Sequence, residues 1–109
     1  MALLTVQQIS RAGLTRSLTA AAGGGDTFAN DGRTFLEVAN GSGGSITVTI
    51  VTTANVDGNA VADTSVAVGA GVTMLIGPFP PATYNDANGI VSLTYSGVTS
   101  LTLNPFRLP

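Results

Sequence analysis

The sequence predicts an all-β protein, a single antiparallel β-sandwich or jelly-roll-like barrel of about seven or eight strands with a short N-terminal helix or arm. Three observations predict it. Apolar and polar residues alternate with a period of two through most of the chain after Leu14. Clusters of Gly, Asn and Asp interrupt these runs at short spacing. Finally, 109 residues suit one domain, and a 44% hydrophobic content can fill its core without any cysteine.

The first thirteen residues read as a separate short element, and residues 14–109 as the β-domain. Thr5 to Gly13 carries helix signals: Thr5 as N-cap, Gln8 at the reciprocal capping position and Gly13 at the C-terminal stop. An extended arm is the competing reading. Leu14–Ala20 alternates loosely, as a first strand would, and Ala21–Asp26 with its three glycines is a loop. Arg33–Asn40 and Ser45–Thr53 are strands separated by the turn-like Asn40–Gly44, and together they predict a hairpin. In the second of them Ile46, Val48 and Ile50 face one way while Thr47 and Thr49 face the other. Shorter strands follow at Ala60–Ala62, Thr64–Val68, Val72–Ile76, Ile90–Tyr95 and Ser100–Asn104. Between them lie turns at Val56–Asn59, Gly69–Gly71 and Asn85–Gly89. Gly77–Pro81 holds three prolines, which donate no ladder hydrogen bonds, so it predicts a stiff connection with Phe79 pinned against the core or a neighbour.

Charge is scarce. Only 9% of residues are charged, against about 25% in an ordinary soluble domain. The basic residues are Arg11, Arg16, Arg33 and Arg107, with no Lys and no His, and the formal net charge is −2. Scattered arginines make no basic stripe, which argues against a nucleic-acid partner. Val72–Ile76 is interrupted by Thr73 and falls far short of the ~20 apolar residues of a spanning helix, so no membrane partner is expected. The beginning of the chain has no basic region and too short an apolar stretch for a secretory signal, which predicts assembly inside a cell. A surface of Thr, Ser, Asn and Gly offers little charge repulsion between copies, as suits a subunit surrounded by neighbours.

Catalytic chemistry has few candidates. Without His, Lys or Cys, neither a Ser–His nor a Ser–Lys nucleophile can be assembled, and the usual zinc ligands are missing. The five aspartates (Asp26, Asp31, Asp57, Asp63 and Asp86) sit mostly in Gly- or Asn-rich segments where turn geometry accounts for them. Asp26–Asp31, Asp57–Asn59 and Asn85–Asn88 carry oxygen ligands of the kind calcium takes. None matches the twelve-residue calcium loop, and each reads first as a turn. The expectation is a protein that is not an enzyme, with no catalytic, cofactor-binding or metal-binding residues. With no Trp and 6% aromatics there is no stacking platform for sugars, so the aromatic residues are core or contact anchors. Candidate subunit contacts are Arg33, as one half of an inter-subunit ion pair, with Phe79, Phe106 and Arg107 in the proline-flanked connection and the C-terminal segment. The segment Leu103–Pro109, the N-terminal segment and the sheet edges are the elements expected to touch neighbours.

Thr5–Ile9 with Arg11 and Gly13–Leu14, Asn30–Leu36, Ile46–Thr52, Ile76–Pro81 and Tyr84–Asp86 resemble small virion proteins of tailed bacteriophages. The resemblance runs from Leu3 to Leu108, and Asn30–Phe35 and Gly77–Pro81 are its most specific stretches. It implies a structural protein of the virion, most of all a capsid decoration (cement) protein that binds the outer surface of the head and stabilises it. The partner implied is the major capsid protein, together with self-association in cyclic oligomers such as trimers. The location implied is the capsid surface after assembly in the host cytoplasm. Two alternatives stand beside this reading: a neck or tail component, and a carbohydrate- or receptor-binding β-sandwich module.

Overall fold

In the computed structural model, residues 2–109 are described, and they form two mixed sheets, one small hairpin and a single helical turn. Reading along the chain, the strands are β1 (Ala2–Leu3), β2 (Gln7–Gln8), β3 (Thr19–Ala20), β4 (Asp26–Ala29), β5 (Thr34–Asn40), β6 (Ile46–Ile50), β7 (Asn55–Val56), β8 (Asn59–Ala60), β9 (Thr64–Val68) and β10 (Thr73–Ile76). The helical turn α1 (Pro81–Tyr84) precedes β11 (Ile90–Tyr95) and β12 (Leu101–Arg107). Seven of these strands have four or more residues, and the remaining five are two-residue segments.

The first sheet has the order β1-β4-β11-β6-β9, and the second runs β10-β5-β12-β2 with β3 also on β12. Both contribute to one core. Phe28, Ile46, Val48, Ile50, Val68, Val91 and Leu93 come from the first sheet, and Leu36, Val38, Leu101 and Leu103 from the second. The period-two pattern explains the split: in β6 the three apolar residues are buried and the two threonines half-exposed. Phe79 joins the core from the connection after β10, its ring 5.6 Å from both Phe28 and Tyr84.

Four expectations are corrected. No helix forms over Thr5–Gly13. Gln7 and Gln8 instead pair in parallel with Phe106 and Arg107, and Ile9 donates its N–H to Arg107 O. Tertiary pairing overrides the local cap signals here, and Gly13 (φ +94°) closes only an isolated turn with Ser10. Met1 lies outside the described residues. Of Leu14–Ala20, only Thr19 and Ala20 form strand. Asp26, read as the end of a loop, opens β4, a strand missed because it is short and follows three glycines.

The fourth correction is topological. β5 and β6 are not a hairpin, because β5 pairs with β10 and β12 whereas β6 pairs with β11 and β9. The chain crosses between sheets at Asn40–Ser45, and Asn40 (2% exposed) builds the crossing. Its Nδ2 donates to Gly44 O (2.8 Å) and Val68 O (2.9 Å), and its Oδ1 accepts from Ser42 N (3.0 Å) and Ser42 Oγ (2.6 Å). Every polar atom of this buried amide is thus satisfied by the crossing or by β9.

β12 extends beyond the predicted Asn104 through Pro105 to Arg107, at the centre of the second sheet. A central proline needs its nitrogen to face a gap. Arg107 O accepts from Ile9 and Leu101 O from Ala21, so alternate residues of β12, Pro105 among them, face the arm side. There Pro105 falls between the end of β3's pairing at Leu103 and the start of β2's at Phe106, where no ladder bond is required of it. Asn104 bridges this gap, donating to Thr5 O and Pro105 O at 2.9 Å and accepting from Thr19 Oγ1 at 3.1 Å.

Burial and the adjoining Asp26 carboxylate push the Tyr95 phenol well above its ordinary value of 10.0. The hydroxyl donates to Asp26 Oδ2 at 2.7 Å, and Asp26 is itself 1% exposed. A raised folded-state value means that the unfolded chain releases this proton first as pH rises. Stability is therefore fully present below pH 10 and falls progressively above it. Urea unfolding between pH 8 and 11 should show that fall in the wild type, and Tyr95→Phe should flatten it. An equal alkaline decline in both proteins would place its origin elsewhere.

Candidate docking surface

The outward face of the second sheet carries apolar side chains where a solvent face would ordinarily be polar. Register places Leu75, Glu37 and Asn104 in one row across β10, β5 and β12, with Phe35 and Phe106 in the next. The Phe35 and Phe106 rings are 5.9 Å apart. The N-terminal segment folds partly across these rows. Gln7 Nε2 donates to Ser17 O (2.9 Å) and Ser17 N donates to Gln7 Oε1 (3.3 Å), closing the loop between them. From that loop Arg16 Nε meets Glu37 Oε1 at 3.0 Å, in the middle of the face.

Two adjoining depressions remain. One, of about 430 Å³, is lined by Arg33, Phe35, Leu75, Ile76, Gly77, Pro78 and Leu108, together with Gly32. The other, of about 330 Å³, lies under the loop and is lined by Ile9, Leu14, Arg16, Phe35, Glu37, Leu75 and Phe106, with Ser10 and Gly13 at its rim. They share Phe35 and Leu75. The described residues include five exposed large apolar side chains, and three of them line these depressions: Leu75 (67% exposed), Leu108 (51%) and Leu14 (38%). Such clustering sets this face apart from a surface with singly scattered leucines and makes it the candidate docking surface.

The floor of the first depression is set by Gly77. A Cβ there would lie 2.9 Å from Phe35 Cβ and 3.0 Å from Phe35 Cα, and its φ of +140° suits glycine alone. The close approach of this backbone to Phe35 brings Ile76, Gly77 and Pro78 into the same lining as Phe35.

The four candidate contact residues separate into two groups. Phe79 (3% exposed) is a core residue. Phe106 (3% exposed) sits in β12 beneath the N-terminal loop, where it lines the second depression. Leu103–Arg107, expected among the segments touching neighbours, is the central strand of its sheet. Arg33 and Arg107 remain at the surface. Arg107 bonds Gln8 Oε1 and lies 3.5 Å from Asp31 Oδ2. Arg33 is exposed on the rim of the first depression and makes no ion pair among the described residues. Sequence reasoning missed Leu75 and Leu14, and named Leu108 only as part of the C-terminal segment. Alternation shows that Leu75 faces outward, but only the pairing of β10, β5 and β12 and the fold-back of the N-terminal loop bring Leu75, Leu14 and Leu108 to one face.

The acidic side chains all have structural partners or turn positions. Asp31 Oδ1 accepts from Arg33 N (3.0 Å), a bond that, with the nearby Arg107 and Arg33 charges, holds its carboxyl below the usual value. Asp63 Oδ1 accepts from Thr52 N (2.9 Å), and Asp86 Oδ1 from Asn88 N (2.8 Å) and Ile90 N (3.1 Å). Asp57 (φ +53°) and Gly58 (φ +80°) form the tip of the β7–β8 hairpin, the positive-φ pair that a tight two-residue turn requires. No three of these acidic groups converge as metal ligands among the described residues. No helix among them is long and apolar enough to cross a membrane. Comparison with protein-family models, with curated proteins and with solved structures finds no match.

Proposed function

We propose that this protein is a non-enzymatic structural component of a tailed-phage virion, a decoration protein that binds the outer surface of the head and stabilises it. The adhesive part of this reading is carried by the outward face of the second sheet. Its partner is a capsid-subunit segment that presents an apolar side chain to Phe35, Leu75 and Leu108 and a carboxylate to Arg33. Charge complementarity selects that chemistry, because Arg33 is the exposed cation on this rim and forms no ion pair among the described residues. The choice of particle is carried by the resemblance of the Asn30–Phe35 and Gly77–Pro81 stretches.

The same proposal treats the two sheets as a β-sandwich of jelly-roll type. Side chains from both sheets form one core, and the shortest extent of the molecule, 20 Å, fits two sheets about 10 Å apart with their outer side chains. A non-enzymatic role is supported by the acidic side chains, which stabilise turns, strands and loop crossings. Weak single contacts suffice for a decoration protein, because many copies on one shell share the work of holding it.

The test is stoichiometric. In purified particles the chain should appear in hundreds of copies at a fixed ratio to the major capsid protein, measured by quantitative mass spectrometry. A handful of copies would move it to the neck or tail. Absence from the particle would end the structural reading.

A further inference from the structure

The two lateral sides of the molecule are finished differently. On one side the N-terminal segment covers both sheets: β1 pairs with β4, while β2 and β3 pair with β12. The strands ending that side are two residues long, the usual way to blunt an edge. On the opposite side β9 and β10 end their sheets with five and four residues, and among the described residues no strand covers either. From Thr64 to Ile76 there is no charged residue and no proline, so the usual guards against edge pairing are missing.

The free hydrogen-bonding groups of β9 follow from the ladder. Val51 N donates to Ser92 O and Ser96 N to Thr47 O, so Thr47, Thr49 and Val51 serve β11 while Ile46, Val48 and Ile50 serve β9. Their β9 partners Val68, Val66 and Thr64 therefore face β6, and the backbone N–H and C=O of Ser65 and Ala67 point outward. Among the described residues nothing bonds to those four groups. Val66, at the centre, packs against the core but is only half-buried, as are Met74 and Ile76 on β10. The core is open on this side.

We infer that β9 pairs antiparallel with β9 of a second copy across a twofold axis through Val66. Such an axis sets Ser65 opposite Ala67 of the other copy and Ala67 opposite its Ser65, so all four outward groups of each strand are satisfied. It sets Val66 opposite Val66, which closes the exposed side of both cores with the same residue. No charge on the strand opposes this contact, and a second copy is the occupant whose register the strand itself supplies. The inference does not rest on the particle assigned above.

Sedimentation of the full chain over a concentration series should show a reversible dimer. Ala67→Pro removes one outward donor per copy without touching the β6 ladder, and should weaken the dimer about thirtyfold. A second variant, which leaves the strand backbone unchanged, reads the register directly. In Val66→Cys the two thiols occupy a non-hydrogen-bonded antiparallel pair, with Cα atoms about 4.5 Å apart, within disulfide range. The chain has no other cysteine, so mild oxidation should yield a covalent dimer, whereas Val72→Cys should not. A wild type that stays monomeric at every concentration overturns the inference. A dimer indifferent to Ala67→Pro and not cross-linked by Val66→Cys overturns the β9 contact. Cross-linking of Val66→Cys to a capsid subunit alone would replace the second copy with a foreign strand.

Discussion

Asn40→Leu should lower the free energy of unfolding by about 2–4 kcal/mol, read as a reduced urea midpoint at unchanged slope. The substituted side chain is similar in volume, so packing is nearly conserved. What is lost is polar satisfaction: Val68 O and Gly44 O lose an amide donor, and Ser42 N loses its acceptor at a buried crossing. Asn40→Asp separates donor from acceptor. The carboxylate still accepts from Ser42 but opposes the carbonyls of Gly44 and Val68, so its folded-state pKa is raised. Relative to wild type, that variant should be more stable near pH 3 than at pH 7, because a neutral acid can donate to one carbonyl. An Asn40→Leu protein as stable as wild type would show that the crossing is held by something other than this amide.

Leu75→Ser combined with Leu108→Ser should weaken binding to capsid shells about fiftyfold while leaving the fold intact. Burying a leucine side chain stabilises by about 1.5–3 kcal/mol, and Leu75 and Leu108 have 67% and 51% of their surface still to bury. The two together give roughly 2.4 kcal/mol per site, or about fiftyfold at 1.4 kcal/mol per decade, before any avidity. Serine is preferred to aspartate at position 75 because Glu37 is the cross-strand neighbour. Co-sedimentation with undecorated shells measures the effect. Unchanged binding would remove this face from the docking surface, whatever the copy number in particles.

Strand periodicity was legible wherever a strand is long enough to alternate. Ile46–Ile50, Thr64–Val68 and Ile90–Tyr95 all lie where the pattern places strands. Pairing was not legible. A Gly-rich stretch after Asn40 looks like a hairpin turn, yet the buried Asn40 side chain makes it a passage between sheets, and side-chain hydrogen bonding at a distance of 28 residues leaves no local signal. The N-terminal segment failed for the same reason, since β2 exists through a partner about a hundred residues away and β1 and β3 likewise depend on distant strands. At the candidate surface the aromatics Phe79 and Phe106 attracted attention because they flank prolines. Both prove to be buried within the chain, and the exposed leucines that frame the depressions stand in segments with no distinguishing motif.

The placement of β12 has a consequence during synthesis. The second sheet is organised around Leu101–Arg107, which pairs with β5, β2 and β3. Phe35 therefore leaves the ribosome about 70 residues ahead of its partner Phe106. At 5–20 residues per second, Leu36 and Val38 wait about 4–14 s for the strand that completes their sheet. Through that interval the nascent chain displays an uncharged, strand-forming stretch, Thr64–Ile76, beside an unfinished β5.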